Sequence, residues 1–175
     1  MFPVSYVRAK SLKHAAEALS ANPDAKLLAG GMTLLPTLKQ RLARPSHLID
    51  IGALGALRAI KRSQDKLSIG AGVRHYEVAS SPVVREAIPA LAYLAAQIGD
   101  PQVRNLGTIG GSLANNDPAA DYPAAVLALG ATIVTNRRRI KAQDYFQGMF
   151  STALEEGEII TRVSFTLPKK VTRPA

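Results

Sequence analysis

The 175-residue sequence contains no cysteine and no tryptophan. Without thiolates it can form no disulfide, no cysteine-bound zinc site, no iron–sulfur cluster and no cysteine nucleophile. It also lacks a long apolar run. The longest extends from about Tyr122 to Val134, and a membrane-crossing helix needs roughly 20 residues. Met1 to Arg8 lacks the charged region and following apolar stretch of a secretory signal. These absences make a cytoplasmic protein the simplest expectation. His14, His47 and His75 lie far apart, without metal-ligand spacing. No Ser-His-Asp or Cys-His arrangement supports covalent catalysis, so no catalytic side chain is expected.

What is present is ordinary globular material. Hydrophobic residues make up 47% and charged residues 20% of the chain. A folded body of this size hides roughly 70% of its extended surface. That allows one core, or two small subdomains around a shared cleft. The net charge of +9 suits an anionic ligand, an acidic partner subunit or nucleic acid. Against a nucleic-acid-binding module stand the 5% aromatic content, the dispersed basic residues and the lack of a recognised motif.

The first third has the pattern of β-α units. Ser11 can cap a helix whose apolar positions are Leu12, Ala15, Ala16 and Leu19. Lys26 to Ala29 predicts a short buried strand, broken by Gly30-Gly31. Thr33 can cap a second helix through about Leu42, with Pro36 in its first turn. His47 to Asp50 predicts another strand. Together these predict a small, largely parallel sheet. Beyond a boundary at Gly52 to Gly55 the pattern changes. Ala59 to Arg62 and Lys66 to Ile69 form a hairpin pattern around Ser63-Gln64-Asp65. Tyr76 to Ser81 and Val83 to Ile98 are helical, the second punctuated by Pro89. Gly107 to Asn116 is predicted as a glycine-rich loop, and Ala124 to Leu129 as a short helix. Ala131 to Asn136, Arg139 to Lys141 and Ile159 to Leu167 have strand patterns. The expected organisation is therefore α+β. Residues 1–54 form one subdomain, residues 55–168 form a larger one with a mixed or antiparallel sheet, and 169–175 are a frayed basic tail.

Three segments carry chemistry. Gly30-Gly31 before Thr33 joins a strand to a helix, so bare backbone and exposed N–H groups can receive a phosphate. An ordinary β-α turn has the same look. Gly107 to Ser112 is a second glycine-rich, hydroxyl-bearing segment, which a tight turn within a sheet also explains. As a pair, on separate subdomains, they can grip the two phosphates of one dinucleotide. Neither has the Lys of a P-loop, and no G-x-G-x-x-G is present, so nucleotide hydrolysis and a Rossmann site are disfavoured. The third segment is Asn115-Asn116-Asp117-Pro118-Ala119-Ala120-Asp121. Its carboxylates are good acceptors for sugar hydroxyls. Asp121 is a helix cap, a ligand, or both; Asp117 before Pro118 can simply shape a turn.

These residues resemble a known family. Leu27-Leu28-Ala29-Gly30-Gly31-Met32-Thr33-Leu34-Leu35 resembles the first FAD loop of the flavoprotein (medium) subunits of molybdenum hydroxylases, the carbon monoxide dehydrogenase and xanthine dehydrogenase types. Gly99-Asp100-Pro101-Gln102-Val103-Arg104-Asn105-Leu106-Gly107-Thr108-Ile109-Gly110-Gly111-Ser112 is similar to the second loop, and Asp117-Pro118-Ala119-Ala120-Asp121 follows at the family's spacing. The likeness runs in order along nearly the whole chain. It implies two α+β subdomains with FAD between them. Ala29, Gly30, Gly31, Met32 and Thr33, flanked by Leu27, Leu28 and Leu34, would hold the pyrophosphate. Thr108, Ile109, Gly110, Gly111 and Ser112 would line the cofactor through backbone groups. Asn115, Asp117 and Asp121 would add polar contacts, Asp121 to FAD hydroxyls, and Ile98 and Ile160 would supply apolar ones.

The resemblance also implies partners: a large molybdopterin subunit carrying the molybdenum cofactor and a small subunit carrying [2Fe–2S] clusters. Electrons would reach FAD from those clusters and leave to NAD⁺, a quinone or oxygen. A stand-alone flavin oxidoreductase of the same superfamily is the alternative enzyme. Two departures stand out. Ser112 replaces an Asn common in the family. Members also usually continue for roughly another hundred residues as a further domain, which is expected to be absent here.

Overall fold

The computed structural model of the chain describes residues 1–167. The frayed tail expected over 169–175, and Pro168, lie outside the described residues. The chain opens with β1 (Ser5–Arg8), α1 (Leu12–Ala21), β2 (Lys26–Leu28), α2 (Leu34–Lys39) and β3 (His47–Asp50). The three strands form a parallel sheet in the order β1-β3-β2. Ser11 starts α1 by accepting from the His14 N–H at 3.1 Å. Ala15, fully buried on the helix's apolar stripe, packs with Ile49 of β3 in the core of this sheet. Strand β1 is absent from the sequence reading because Ser-Tyr-Val-Arg at a sheet edge is mostly exposed and has no apolar period. Thr33 is not a cap. Its backbone is already helical, its side chain makes no capping bond, and α2 ends at Lys39 instead of about Leu42.

A 3-10 turn at Gly55–Leu57 leads to the hairpin β4 (Ile60–Arg62) and β5 (Lys66–Gly70). A run of short helices follows: α3 (His75–Ser80), α4 (Pro82–Ala87), α5 (Pro89–Gln97), α6 (Pro101–Leu106), α7 (Ile109–Asn115) and α8 (Asp121–Ala128). Prolines set the starts of α4, α5 and α6. Pro82, Pro89 and Pro101 each occupy an early helical position, where a missing N–H is harmless. Pro89 also forces Ile88 out of the helical region, to φ −142°, so the helix expected over Val83 to Ile98 is two helices.

The larger departure concerns 107–116, expected as a loop. Most of it is α7. Thr108 caps it by accepting from the Gly111 N–H at 3.1 Å, and Ile109 and Leu113, one turn apart, are both fully buried. The glycines that disguised the helix are there for contact: a Cβ on Gly110 would lie 2.5 Å from the Ala71 Cβ.

Strands β6 (Thr132–Thr135) and β7 (Arg139–Lys141), helix α9 (Ala142–Tyr145), the hairpin β8 (Phe146–Gly148) and β9 (Ser151–Thr152), and β10 (Ile160–Thr166) complete the described chain. The second sheet has the order β4-β5-β10-β6-β7 and is antiparallel throughout. Leu67, Ile69, Ile133, Val163 and Phe165 of this sheet pack in one cluster with Leu91, Leu113, Tyr122 and Tyr145. The architecture is α+β. Among the described residues no helix is long and apolar enough to cross a membrane.

Candidate functional site

The first glycine segment follows the carboxyl end of β2, where α/β sheets place ligands. The second lies at the start of α7. They touch: a Cβ on Gly30 would stand 2.0 Å from the Leu106 carbonyl oxygen and 2.8 Å from the Gly107 Cα. Beside this contact runs a cleft of about 700 Å³, within the range of small-molecule and cofactor sites.

The two segments differ in hydrogen bonding. Among the described residues, the N–H groups of Gly30, Gly31, Met32 and Thr33 donate to no protein acceptor. Gly31 has φ +71°, which turns the chain in the left-handed sense. Consecutive open amides around such a turn make an anion nest. At the second segment the amides are engaged. Ile109 donates to the Val73 carbonyl at 3.1 Å, Gly110 to the Ala71 carbonyl at 2.9 Å, and Gly111 to Thr108 Oγ1. What this segment offers the cleft is space and the Ser112 and Thr108 side chains. A Cβ on Gly111 would meet only Thr108 Oγ1 within 4 Å, at 2.9 Å.

The cleft wall contains residues 27–34, Ile98, Thr108, Gly110, Gly111, Ser112, Asn115, Asp117 and Ile160. Ile109 and Asp121 are not among these wall residues. The fully buried Ile109 side chain belongs to the core, because a helix residue one turn before Leu113 faces inward. Asp121 is exposed in the first turn of α8, where Ala120 is the N-cap residue, and is not among the wall residues. Asp117 accepts from the Ala119 N–H through Oδ1 at 2.9 Å, which shapes its turn while the carboxylate stays at the wall.

Several wall residues were missed in the sequence. Arg58 and Arg74 add positive charge. Glu77 accepts from the Arg74 N–H at 2.7 Å and lies 3.6 Å from the Arg58 guanidinium. His75 is the first residue of α3 and only 5% exposed. Its N–H donates to the Gly107 carbonyl at 2.9 Å, and its ring lies 5.3 Å from that of Tyr122. Burial lowers the His75 pKa to about 4, so the imidazole is neutral at pH 7. Glu158 has a fully buried side chain. Burial alone would raise its pKa, but Arg138 grips both carboxylate oxygens at 3.0 Å, and bonds from Thr135 and the Glu155 N–H bring it down to about 2. Arg138, in the Arg137 to Arg139 run, thus supplies the partner that makes a buried carboxylate tolerable.

A dinucleotide needs an anion cradle, acceptors for sugar hydroxyls and apolar walls for flat rings. The nest at 30–33, the Asp117 carboxylate, and Leu27, Ile98 and Ile160 provide these in one cleft, and Gly111 leaves open a space that any side chain would fill. The family profile described as the FAD-binding domain in molybdopterin dehydrogenase matches residues 2–169. The glyceraldehyde dehydrogenase medium chain of Sulfolobus acidocaldarius is 40% identical over 188 aligned positions, covering 100% of this chain and 67% of that one. The carbon monoxide dehydrogenase medium chain of Hydrogenophaga pseudoflava is 44% identical over 144, covering 80% and 50%. Quinoline 2-oxidoreductase from Pseudomonas putida 86 superposes with a TM-score of 0.93 at 38% identity, covering 96% of this chain and 61% of the other. The chain thus spans between half and two thirds of the length of these relatives.

Proposed function

The chain belongs to the family of FAD-binding domains of molybdopterin dehydrogenases, and from that premise we propose that it is the flavin-holding part of a medium subunit in a molybdenum hydroxylase. Bound in the cleft, FAD supplies reversible two-electron chemistry, linking [2Fe–2S] clusters of a small partner subunit, fed from a large molybdopterin subunit, to an external acceptor. A cytoplasmic setting goes with this reading.

The chain's own residues bind and orient. The open amides of Gly30 to Thr33 direct N–H dipoles at the pyrophosphate, with the Arg58 and Arg74 charges nearby. Asp117 accepts from sugar hydroxyls. Leu27, Ile98 and Ile160 exclude water from the flat rings. The His75 backbone N–H holds Gly107, and so the second segment, against Gly30, and its neutral ring adds no buried charge beneath the site. Catalysis here needs no proton-transferring side chain, because the cofactor carries the chemistry.

The observation that carries this reading is the row of four amides, unpaired among the described residues, on a cleft shared by two sheets. The test is titration of the purified chain with FAD, followed by flavin absorbance and fluorescence. Saturable one-to-one binding is expected; a flat titration contradicts the reading. Co-purification of a large and a small chain from the native source tests the partner assignment.

A further inference from the structure

One wall residue is unexplained by the glycine segments. Phe150 lines the cleft, yet 59% of its surface is exposed. Its φ is +54°, in the left-handed region that residues with a bulky side chain rarely enter. It is the second of the two residues, Met149 and Phe150, that join β8 to β9. Glycine or asparagine is usual at such a positive-φ turn position.

The turn is also firmly held. The Phe150 N–H donates to the Asn116 carbonyl at 3.0 Å. Asn116 Nδ2 donates to the Gly148 carbonyl at 2.6 Å and the Ser151 carbonyl at 2.7 Å. Asn116 is buried and closes α7 with its own φ of +45°. Helix α7, capped by Thr108 at one end, therefore fixes Phe150 through Asn116 at the other. A turn that only reversed the chain would gain from glycine here and would not need an apolar ring at a wet cleft mouth. Strain kept together with exposure and rigid anchoring marks a side chain selected for contact.

We propose that Phe150 is a cofactor-binding residue, an aromatic clamp whose ring stacks against a planar ring of FAD at the mouth of the cleft. Offset stacking is the preferred geometry of such rings. The inference rests on the FAD reading and deepens it, assigning a ring contact to a residue outside both glycine segments. Met149, 74% exposed and not part of the cleft wall, serves as the internal control.

The test compares FAD affinity with the thermal stability of the FAD-free chain in Phe150→Gly, Phe150→Trp and Met149→Ser. Phe150→Gly removes both the ring and the strain. It should keep or raise the melting temperature while weakening FAD binding at least tenfold. Phe150→Trp retains a stacking surface and should bind within about threefold of the wild type, as should Met149→Ser. Wild-type affinity in Phe150→Gly would overturn the clamp and leave FAD binding intact. Equal losses in Phe150→Gly and Phe150→Trp would overturn stacking, and a matching loss in Met149→Ser would show that the tip acts as a whole. Absence of FAD binding by the wild-type chain would overturn the FAD reading itself, and the clamp with it.

Discussion

Gly30-Gly31 and Gly110-Gly111 are both glycine pairs one residue removed from a threonine, and they line the same cleft, the first after strand β2 and the second within helix α7. Their backbones end in different bonds. The first pair keeps its amides unpaired among the described residues. The second pair belongs to a helix that ties its amides to Val73, Ala71 and Thr108. Even within a pair the glycines differ. Gly30 and Gly110 lack a Cβ because another backbone lies where it would go; Gly111 lacks one because the cleft does. Equal sequence signals therefore have separate physical causes, namely anion binding, close packing and open volume.

Substitutions at these positions should pull the causes apart. The largest effect is expected at Gly30. In Gly30→Ala the new methyl meets a carbonyl 2.0 Å away on the opposing segment. Overpacking of this kind costs about 3 kcal/mol. At about 2–4 °C per kcal/mol, the melting temperature should drop clearly, and FAD binding should be lost with it. A variant as stable as the wild type would show that the two segments do not meet.

Acid should act on the second segment through His75, while Glu158, held at about 2 against a usual 4.5, adds a loss only below about pH 4.5. The folded pKa of His75 is about 4 against a usual 6.5, so the unfolded chain binds the proton more readily. Stability is then full above pH 6.5 and falls as pH drops towards 4, by about 3 kcal/mol at that limit. Urea midpoints measured across this window should lose most of their slope in His75→Gln. An unchanged slope would place the titration elsewhere.

Gly111→Ala should separate binding from folding. The helix gains up to about 0.8 kcal/mol of propensity, so the melting temperature should hold or rise. The methyl group enters the cleft against Thr108 Oγ1, so FAD affinity should fall about tenfold, or about 1.4 kcal/mol. A fall in stability like that of Gly30→Ala would erase the contrast between the pairs. The smallest stability effect among the destabilising changes is expected for Gly31→Ala. Its φ of +71° costs an alanine about 1 kcal/mol, and the nearest atoms belong to the flexible Leu35 side chain. Thermal melts should resolve this loss.

The parallel β-α start, the β4–β5 hairpin and strands β6, β7 and β10 were legible because their apolar periods survive in short segments. Helices α6 and α7 were hidden by Pro101 and by glycines whose propensity argues against helix; the one usable signal was the i, i+4 pair Ile109 and Leu113, both in the core. Most wall residues could be named from the resemblance, since the motifs are contiguous. Arg58, His75, Phe150 and Glu158 could not. Each reaches the cleft from a separate element, and nothing local in the sequence encodes that meeting. The start of α8 at Asp121 can be read from sequence, but the face it presents to a distant cleft cannot.

The central claim is that the first segment binds an anion through backbone amides while the second does not. The most direct measurement is an amide ¹H–¹⁵N titration of the isotopically labelled chain with FAD. The Gly30, Gly31, Met32 and Thr33 resonances should move downfield by the largest amounts, with Ile109 and Gly110 nearly still. The largest shifts at Ile109 and Gly110, with residues 30–33 unmoved, would contradict the account.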